Sequence, residues 1–350
     1  MEYRQLGRSG LRVSTITLGT MGFGGTGWAS PIGRLDVDAA RRQVDLCREA
    51  GVNLFDTADV YSNGLSEQIL GEALGKNRDE VLIATKVRGD MGPGPNDAGL
   101  SRHHIVRAAE ASLRRLNTDH IDLYQVHEWD GLTPLDETLA ALDALVRSGK
   151  VRYIGSSNYT GWQLMKALWT SDRRGYESFV SEQIYYSLQA RDAENELVPI
   201  AIDQGLGILV WSPIAGGLLS GKYRRGQDAP EGTRRFEGWS EPPVHDEDRL
   251  YATIDELVAI ADDHGVSAAQ VALASTLAKP AVTSVIVGAR TEEQLRDNLA
   301  AADLRLTDDE LRRLDDASGV PLLYPYWHQA NTGAGRLSPA DLSLLERHLP

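Results

Sequence analysis

The order of the predicted elements constrains the fold of this chain more than any other feature. Short apolar or β-branched runs alternate with longer segments whose apolar residues recur at helical spacing, such as Leu135, Leu139 and Leu142. We count about eight such strand–helix units, which favours an α/β fold with a closed (β/α)8 TIM barrel over an open doubly wound sheet. The predicted strands cover residues 14–18, 53–55, 81–84, 121–126, 151–155, 179–183, 207–211 and 284–287.

The segments around these units predict one domain over residues 1–350. The barrel core is expected over about residues 3–316, and residues 6–11, with glycines at both bends, predict a small β-hairpin before it. Residues 226–248, between the seventh and eighth strands, are rich in Gly, Pro, Arg and acidic residues, which predicts an enlarged active-site loop. The tail over residues 318–350 either caps the site or packs outside the barrel.

Charge and cysteine content exclude several classes of protein. The 350 residues include 36 Lys and Arg against 50 Asp and Glu, for a net charge of −14, and Cys47 is the single cysteine. One cysteine makes neither an internal disulfide nor a thiolate metal site, so no metal is expected. An acidic surface repels nucleic acid and anionic lipid, and no run reaches the ~18 apolar residues of a membrane span. Small molecules and proteins therefore remain as partners, and a cytoplasmic location is expected.

Two glycine-rich segments resemble phosphate-binding motifs without their usual context. Residues 22–27 fit the dinucleotide pattern G-x-G-x-x-G, yet a loop follows instead of a helix whose amino end would face a pyrophosphate. Residues 216–222 fit a P-loop until Tyr223, which stands where a Ser or Thr would hold Mg²⁺. A Rossmann domain and an ATPase are therefore disfavoured, although the second loop and Lys222 suit a phosphate of another ligand.

Polar side chains follow several predicted strands at their carboxyl ends. In a barrel this end carries the active site, because its loops converge on one mouth. Asp56, Lys86 and His127 end the second, third and fourth strands, and Tyr61 lies in the loop just after Asp56. Each residue alone has an ordinary structural explanation, such as an ion pair or packing. Four such residues on one rim of the barrel favour a catalytic site.

The motifs at these strand ends resemble the signature of the aldo-keto reductase superfamily. They are Asp56-Thr57-Ala58-Asp59-Val60-Tyr61, Ala84-Thr85-Lys86, Ile121-Asp122-Leu123-Tyr124-Gln125-Val126-His127 and Ile154-Gly155-Ser156-Ser157-Asn158-Tyr159. The resemblance runs from about Tyr3 to Asp316. It implies a (β/α)8 barrel that binds NADPH extended across its mouth without a Rossmann domain. It also implies an oxidoreductase that reduces an aldehyde or ketone to the alcohol.

The side chains on the rim suit carbonyl reduction. The oxygen that becomes an alkoxide needs a proton, and a free Tyr, with a pKa of about 10, is a weak acid near neutral pH unless a cation stabilises its phenolate. Lys86 supplies that cation, Asp56 holds Lys86 protonated and oriented, and Tyr61 is the general acid. His127 is expected to be the neutral donor that aligns the carbonyl oxygen. The resemblance implies the same four roles.

The resemblance also implies where a cofactor would lie. The expected contacts are Gly19, Thr20, Met21 and Asp56 near the first two strands, Ser157, Asn158, Gln183 and Trp211 at the nicotinamide, Ser212, Pro213, Gly217, Ser220, Gly221 and Lys222 around the pyrophosphate, and Gly288, Arg290, Gln294 and Asn298 at the adenosine. A planar guanidinium suits phosphate, so Arg290 is expected to contact the 2′-phosphate, which favours NADPH while leaving NADH open. A solvated charge at a helix start is the alternative for Arg290.

The substrate is expected to be a small carbonyl compound or an alcohol. Phe23, Trp28 and Trp129 lie on loops at the predicted mouth and either line an apolar substrate wall or make ordinary packing contacts. Ser62 and Asn63 stand where the superfamily often has Gly after the catalytic Tyr, so the lip of the pocket is expected to differ.

Two other functions fit parts of the pattern. A Schiff-base lyase would use Lys86 as its nucleophile, but such a lysine should be desolvated and lack a close carboxylate, whereas Asp56 is expected beside it. A non-catalytic, NADP-binding regulatory subunit, as in the potassium-channel β-subunits of the same superfamily, would carry the same four residues. Turnover of a simple aldehyde with NADPH distinguishes these functions.

Overall fold

The structure of the protein, a computed structural model, describes residues 1–26, 32–233, 235–236, 238 and 240–349. The strands are β1 (Tyr3–Gln5), β2 (Arg12–Ser14), β3 (Ile16–Gly19), β4 (Leu54–Asp56), β5 (Leu82–Val87), β6 (Ile121–Val126), β7 (Val151–Ser157), β8 (Ser181–Tyr185), β9 (Gly207–Trp211) and β10 (Val282–Val287). The helices are α1 (Val37–Glu49), α2 (Leu65–Leu74), α3 (Arg102–Leu116), α4 (Leu135–Arg147), α5 (Gly161–Arg174), α6 (Leu197–Gln204), α7 (Glu247–His264), α8 (Ala268–Leu277), α9 (Glu292–Ala300), α10 (Asp308–Ser318), α11 (Tyr326–Thr332) and α12 (Pro339–Leu345).

Strands β3 to β10 form a closed barrel in which neighbouring strands are parallel. The closing pair joins β10 to β3, where Val285 lies opposite Ile16 and the hydroxyl oxygens of Thr17 and Ser284 are 2.7 Å apart. Strands β1 and β2 pair in antiparallel orientation ahead of the barrel. The predicted (β/α)8 TIM barrel with an N-terminal hairpin is confirmed, and the open doubly wound sheet is excluded.

Strand boundaries differ from the predicted ones where pairing extends beyond the apolar run. Strands β6 and β9 begin and end where predicted. Strand β8 begins at Ser181 and ends at Tyr185, because it pairs with β9 over that whole stretch. Gln183 therefore lies in the middle of β8 and not at its end. Backbone hydrogen bonds with a neighbouring strand decide where a strand ends. The apolar run of one segment does not show these bonds.

Polar residues at their amino ends explain where several helices begin. The side chains of Asp36, Ser101 and Ser267 accept hydrogen bonds from backbone amides in the first turns of α1, α3 and α8. Helices α1 and α3 bury one face against the barrel, whereas α8 is buried almost all round because it packs against α7, α9 and β10. None of the helices in the described part of the chain has the length and apolarity needed to cross a membrane.

Side chains inside the barrel form an apolar layer below a polar one. Leu54, Ala84 and Leu123 pack with Leu6 and Val13 of the hairpin, which closes the amino-terminal end of the barrel. Alternate residues of a strand point to the same face, so the residues two positions further along β4, β5 and β6 also point inward. These residues are Asp56, Lys86 and Gln125. The strand register thus places polar side chains together at the mouth.

The long loop and the tail both lie outside the barrel strands. The loop between β9 and α7 covers residues 212–246, and α7 begins at Glu247, inside the predicted loop. In the tail, α12 packs against α6 on the outside of the barrel. A role of the tail in capping the site, and the single domain over residues 1–350, stay predictions.

Candidate active site

Three side chains meet at the polar end of the barrel interior. Lys86 on β5 donates hydrogen bonds from Nζ to Asp56 Oδ1 at 2.5 Å, to the Thr57 carbonyl oxygen at 2.9 Å and to the Tyr61 hydroxyl at 3.3 Å. Its ammonium also lies 5.0 Å from the centre of the Tyr61 ring. Lys86 is wholly buried, so these contacts replace the water that a cation would otherwise bind. The structure thus brings Tyr61, Lys86 and Asp56 together as expected.

Burial and charge act in opposite directions on the Lys86–Tyr61 pair. Burial alone lowers the pKa of Lys86, but Asp56 and Tyr61 outweigh it and raise that pKa above its ordinary value, so Lys86 is protonated at neutral pH. Burial raises the pKa of Tyr61, and the Lys86 charge opposes this rise without cancelling it. The cation that should favour the phenolate is in place, but the overall direction of the Tyr61 pKa is upward because burial dominates.

The second oxygen of Asp56 is held by two amide side chains. Gln183 Nε2 donates to Asp56 Oδ2 at 2.8 Å, and Gln125 Nε2 donates to the same oxygen at 3.2 Å. Gln125 had no predicted role, although the sequence carries a signal for it. It is a polar residue in a mostly apolar strand and lies two positions after Leu123, so its side chain also points into the barrel. Asp56 therefore has a cation on one oxygen and two neutral donors on the other.

His127 follows β6 and faces Tyr61. The two rings lie edge to face, with their centres 5.8 Å apart and their planes at 75°. Burial, then the charges of Lys86 and Arg88, lowers the pKa of His127 to about 3. The imidazole is therefore neutral at physiological pH and keeps one N–H that can donate to a carbonyl oxygen. A neutral imidazole is the form that the role expected of His127 requires.

The turn after Tyr61 has an unusual backbone. Ser62 and Asn63 adopt φ of 49° and 57°, in the left-handed region that favours glycine. The Ser62 hydroxyl accepts a hydrogen bond from the Gly25 amide at 3.0 Å and donates one to the Phe23 carbonyl at 3.0 Å. These bonds tie the loop that carries Tyr61 to the loop after β3, so the lip of the mouth is fixed from both sides.

The residues predicted to contact a nicotinamide also lie together. Asn158, at φ of 55°, donates from Nδ2 to the His127 carbonyl at 3.0 Å and accepts a bond from Trp211 Nε1 at 3.0 Å. The Trp211 ring stacks on Tyr185, with centres 4.8 Å apart. Ser157 donates to the backbone oxygen of Gln183, which places both at the base of this group.

The predicted pyrophosphate loop is a series of tight turns that includes a 3-10 helical stretch, Ala215–Ser220, interrupted at Gly216 and Gly217. Ser212, Gly217 and Gly221 have positive φ, and Ser212 Oγ accepts a hydrogen bond from the Gly216 amide at 2.9 Å. Ser220 donates to the Gly217 carbonyl at 2.7 Å. Pro213 is buried beside Ser212, and Lys222 is exposed at the end of the loop.

The predicted adenosine end connects the last barrel strand to the long loop. Arg290 donates from its guanidinium to the Gly232 carbonyl at 2.7 Å, and its backbone amide donates to Gln294 Oε1 at 3.0 Å. Gly288 follows β10, and Asn298 is buried on α9. Arg290 thus lies between two segments and is not a purely solvated charge at a helix start.

The remaining predicted site residues have structural contacts of their own. Gly19 is paired with Asp56 across the strands, Thr20 Oγ1 donates to the Asp56 carbonyl at 3.1 Å, and Met21 follows in the same loop. Phe23 is buried in the core, and Trp129 packs edge to face on Tyr159. Trp28 lies outside the described residues. A role of Phe23, Trp28 and Trp129 in substrate binding stays a prediction.

Comparison with known proteins identifies the family. A model of the Aldo/keto reductase family matches residues 15–318. The chain belongs to the aldo/keto reductase family. The uncharacterized oxidoreductase YrpG of Bacillus subtilis is 43% identical, over 90% of this chain and 95% of its own. A probable voltage-gated potassium channel subunit beta of Arabidopsis thaliana is 38% identical, over 87% and 92%. The versiconal hemiacetal acetate reductase of Aspergillus parasiticus is 35% identical, over 93% and 99%.

Membership of the aldo/keto reductase family confirms the family predicted from the motifs. It makes the protein an oxidoreductase, and aldo/keto reductases use nicotinamide cofactors. The relatives' names differ, since one is a reductase and another is a probable channel subunit. Membership alone therefore leaves the reaction to be argued from the site.

Proposed function

We propose that this aldo/keto reductase reduces an aldehyde or ketone to the alcohol with NADPH, and that Tyr61 is the general acid. The observation that carries the proposal is the contact of Tyr61 with the buried, protonated Lys86, which Asp56 holds in turn. A neutral His127 beside the Tyr61 ring completes the set. These four side chains supply an acid, a cation, an anchor and a neutral donor within one mouth.

The loops around the mouth fit a dinucleotide. A Cβ atom at Gly217 would lie 3.3 Å from Lys222 Nζ, so the glycine lets the Lys222 cation lie close to the backbone of this loop. At the other end, Arg290 presents a second cation, which suits the 2′-phosphate of NADPH. Trp211 is partly exposed and offers an aromatic surface next to Asn158. When bound, the cofactor supplies the hydride that reduces the carbonyl carbon.

The protein's own side chains supply the proton and the orientation. Lys86 donates to the Tyr61 oxygen, so the phenolic O–H points away from Lys86 and can donate to a carbonyl oxygen. As that oxygen takes the proton, the O–H bond of Tyr61 breaks and the Lys86 ammonium stabilises the resulting phenolate. His127 donates a hydrogen bond to the same carbonyl oxygen and stabilises its developing negative charge. Asp56 keeps Lys86 protonated throughout.

A regulatory subunit is the second candidate function. The 38% identity to a probable voltage-gated potassium channel subunit beta favours it, because the name of that relative describes a channel subunit and not an enzyme. A Schiff-base lyase has less support, since Asp56 contacts Lys86 and the pKa of Lys86 is raised. A Schiff base needs the unprotonated amine.

Replacement of Tyr61 by Phe tests the proposal. The variant loses the proton donor but keeps the ring, so turnover of a panel of aldehydes and ketones should fall to below a few per cent while NADPH binding, followed by protein fluorescence, stays nearly unchanged. Tyr3→Phe is the matched control, because Tyr3 lies on β1 of the hairpin at the amino-terminal end of the barrel, opposite the mouth, and the variant should keep full activity.

Three outcomes decide between the functions. Activity of Tyr61→Phe above a few per cent contradicts the role of Tyr61. Binding of NADPH by the unmodified protein without turnover of any carbonyl favours the regulatory subunit. Turnover with NADH at the same kcat/KM as with NADPH contradicts the proposed contact of Arg290 with the 2′-phosphate.

A further inference from the structure

A second acidic residue, Asp59, lies behind the site and has no part in the proposed reaction. It is two residues before Tyr61, and its backbone amide donates to the Lys86 carbonyl at 3.3 Å. Its side chain is wholly buried, and neither carboxyl oxygen has a partner with hydrogen-bond geometry among the described residues. A buried carboxyl group in this condition requires an explanation.

The charged groups around Asp59 are already committed to one another. Glu67 on α2 accepts hydrogen bonds from Thr85 Oγ1 on β5 and from Arg115 Nε on α3, both at 2.6 Å. Tyr124 on β6 contributes a hydroxyl that is also buried and without a partner in the described structure. The layer between β5–β6 and α2–α3 thus holds one ion pair, Glu67 with Arg115. It also holds two groups that can be uncharged, the Asp59 carboxyl and the Tyr124 hydroxyl. Among the described residues, the nearby cations Arg115 and Lys86 bond to Glu67 and Asp56, and neither bonds to Asp59.

Asp59 is therefore expected to keep its proton at neutral pH. An ionised carboxylate without a partner is costly in a buried layer, and the group avoids that cost by remaining neutral. Burial, and then the Glu67 charge, raise the pKa of Asp59 to about 8, although the Arg115 charge, the Val60 backbone amide and the Lys86 charge act in the opposite direction. Tyr124 is neutral as well, because burial and then Asp59 and Glu67 raise its pKa.

We propose that Asp59 is a positioning residue for the Tyr61–Lys86 pair, active with its carboxyl protonated and inhibitory once that carboxyl is ionised. The inference rests on the proposed function. Asp56 already places one negative charge at the pair. A second negative charge two residues from Tyr61 would disfavour the phenolate that forms when Tyr61 gives up its proton.

The effect has the same sign in both directions of the reaction. In reduction, an ionised Asp59 makes Tyr61 a weaker acid. In alcohol oxidation, it reduces the fraction of Tyr61 that is a phenolate and can accept a proton. Titration of Tyr61 itself speeds oxidation as the pH rises, whereas titration of Asp59 slows it. Oxidation rates therefore separate the two groups.

The test is the pH dependence of kcat in both directions for the unmodified protein and for Asp59→Asn. The unmodified protein should lose activity about two- to tenfold in a step near pH 8, and Asp59→Asn should lack that step because Asn carries no charge. Asp59→Ala should give the same profile even if its cavity lowers stability. A step that survives in both variants overturns the proposal.

Glu182 provides the matched control. It is another buried carboxyl whose pKa burial raises to about 8, but it accepts hydrogen bonds from Ser156 and, at 2.9 Å, from the Tyr159 amide, and neither Tyr61 nor Lys86 acts on that pKa. Glu182→Gln should therefore retain the step. Loss of the step in Glu182→Gln alone overturns the assignment to Asp59.

A measurement without turnover separates this inference from the proposed function. Phenolate formation at Tyr61 can be followed by ultraviolet difference spectra against Tyr61→Phe. In Asp59→Asn, Tyr61 should titrate about one pH unit lower than in the unmodified protein. If Tyr61 titrates at a lower pH in Asp59→Asn but the protein reduces no carbonyl, the inference holds and the proposed reaction fails. An unchanged titration would overturn the inference even in an active enzyme.

Discussion

Asp56 and Asp59 are three residues apart in the sequence, yet they lie in two different regions of the molecule. Asp56 points into the barrel mouth, where Lys86, Gln125 and Gln183 donate hydrogen bonds to it. Asp59 lies in the layer between β5–β6 and α2–α3, where neither of its oxygens has a described partner. Both side chains are buried, so burial alone does not decide what a carboxyl group does. The donors that surround it decide whether it holds a charge.

The largest effect is expected from Asp56→Asn. The change removes the charge that compensates Lys86, so kcat should fall about 100-fold or more, and the free energy of unfolding should fall by about 3 kcal/mol because one partner of a buried ion pair is lost. Asp59→Asn at pH 7 should stay within about twofold of the unmodified kcat, since Asn replaces a group that is already neutral. Steady-state kinetics and denaturant unfolding of both variants measure the contrast. Equal losses of kcat and of stability in the two variants would contradict the difference between Asp56 and Asp59.

The next effect is on stability as a function of pH. The pKa of Asp59 is raised from 3.8 to about 8 on folding, so the folded state binds more protons than the unfolded state between these values. Stability of the unmodified protein therefore falls as the pH rises through this window and levels off above it. The advantage of Asp59→Asn should grow from pH 4 to pH 8 in chemical unfolding. If the difference in unfolding free energy between the two proteins stays constant with pH, the proton is bound by a group other than Asp59.

The smallest effect is expected from Gln125→Leu. The substitution removes one of two amide donors to Asp56 Oδ2 and leaves the Gln183 bond at 2.8 Å in place. We expect a loss of about 1 to 2 kcal/mol of stability and a fall in kcat of less than about tenfold, because Lys86 keeps its position. Thermal unfolding and kcat measure both quantities. A loss as large as that of Asp56→Asn would show that the amide, and not the ion pair, controls the site.

The barrel and the polar cluster at its mouth were accessible from sequence because they depend on local patterns. Apolar runs gave the strands, and in a barrel the strand order itself brings Asp56, Lys86 and His127 to one mouth. The contact of Lys86 with Asp56 and Tyr61 follows from that placement. The exact ends of a strand do not follow from local patterns. Those of β8, for example, are set by its pairing with β9.

The contacts that sequence did not predict depend on neighbours far along the chain. Gln125 reaches Asp56 from another strand, and Trp211 bonds to Asn158 across the mouth. Asp59 is the clearest case, because an acidic residue in a loop gives no sign that it is wholly buried. Its burial comes from the packing of α2 and α3 over the loop, which no local pattern contains.

The pairing of β10 with β3 has a consequence for synthesis on the ribosome. Strand β3 is made first among the barrel strands, but its second neighbour, β10, emerges only after the other seven. Until then the nascent sheet has two unpaired edges, which are surfaces prone to wrong pairing. Contacts between such distant segments also form slowly. The growing chain therefore acquires a complete mouth only near the end of translation, so a chain released before residue 287 would lack the closed barrel on which the whole rim depends.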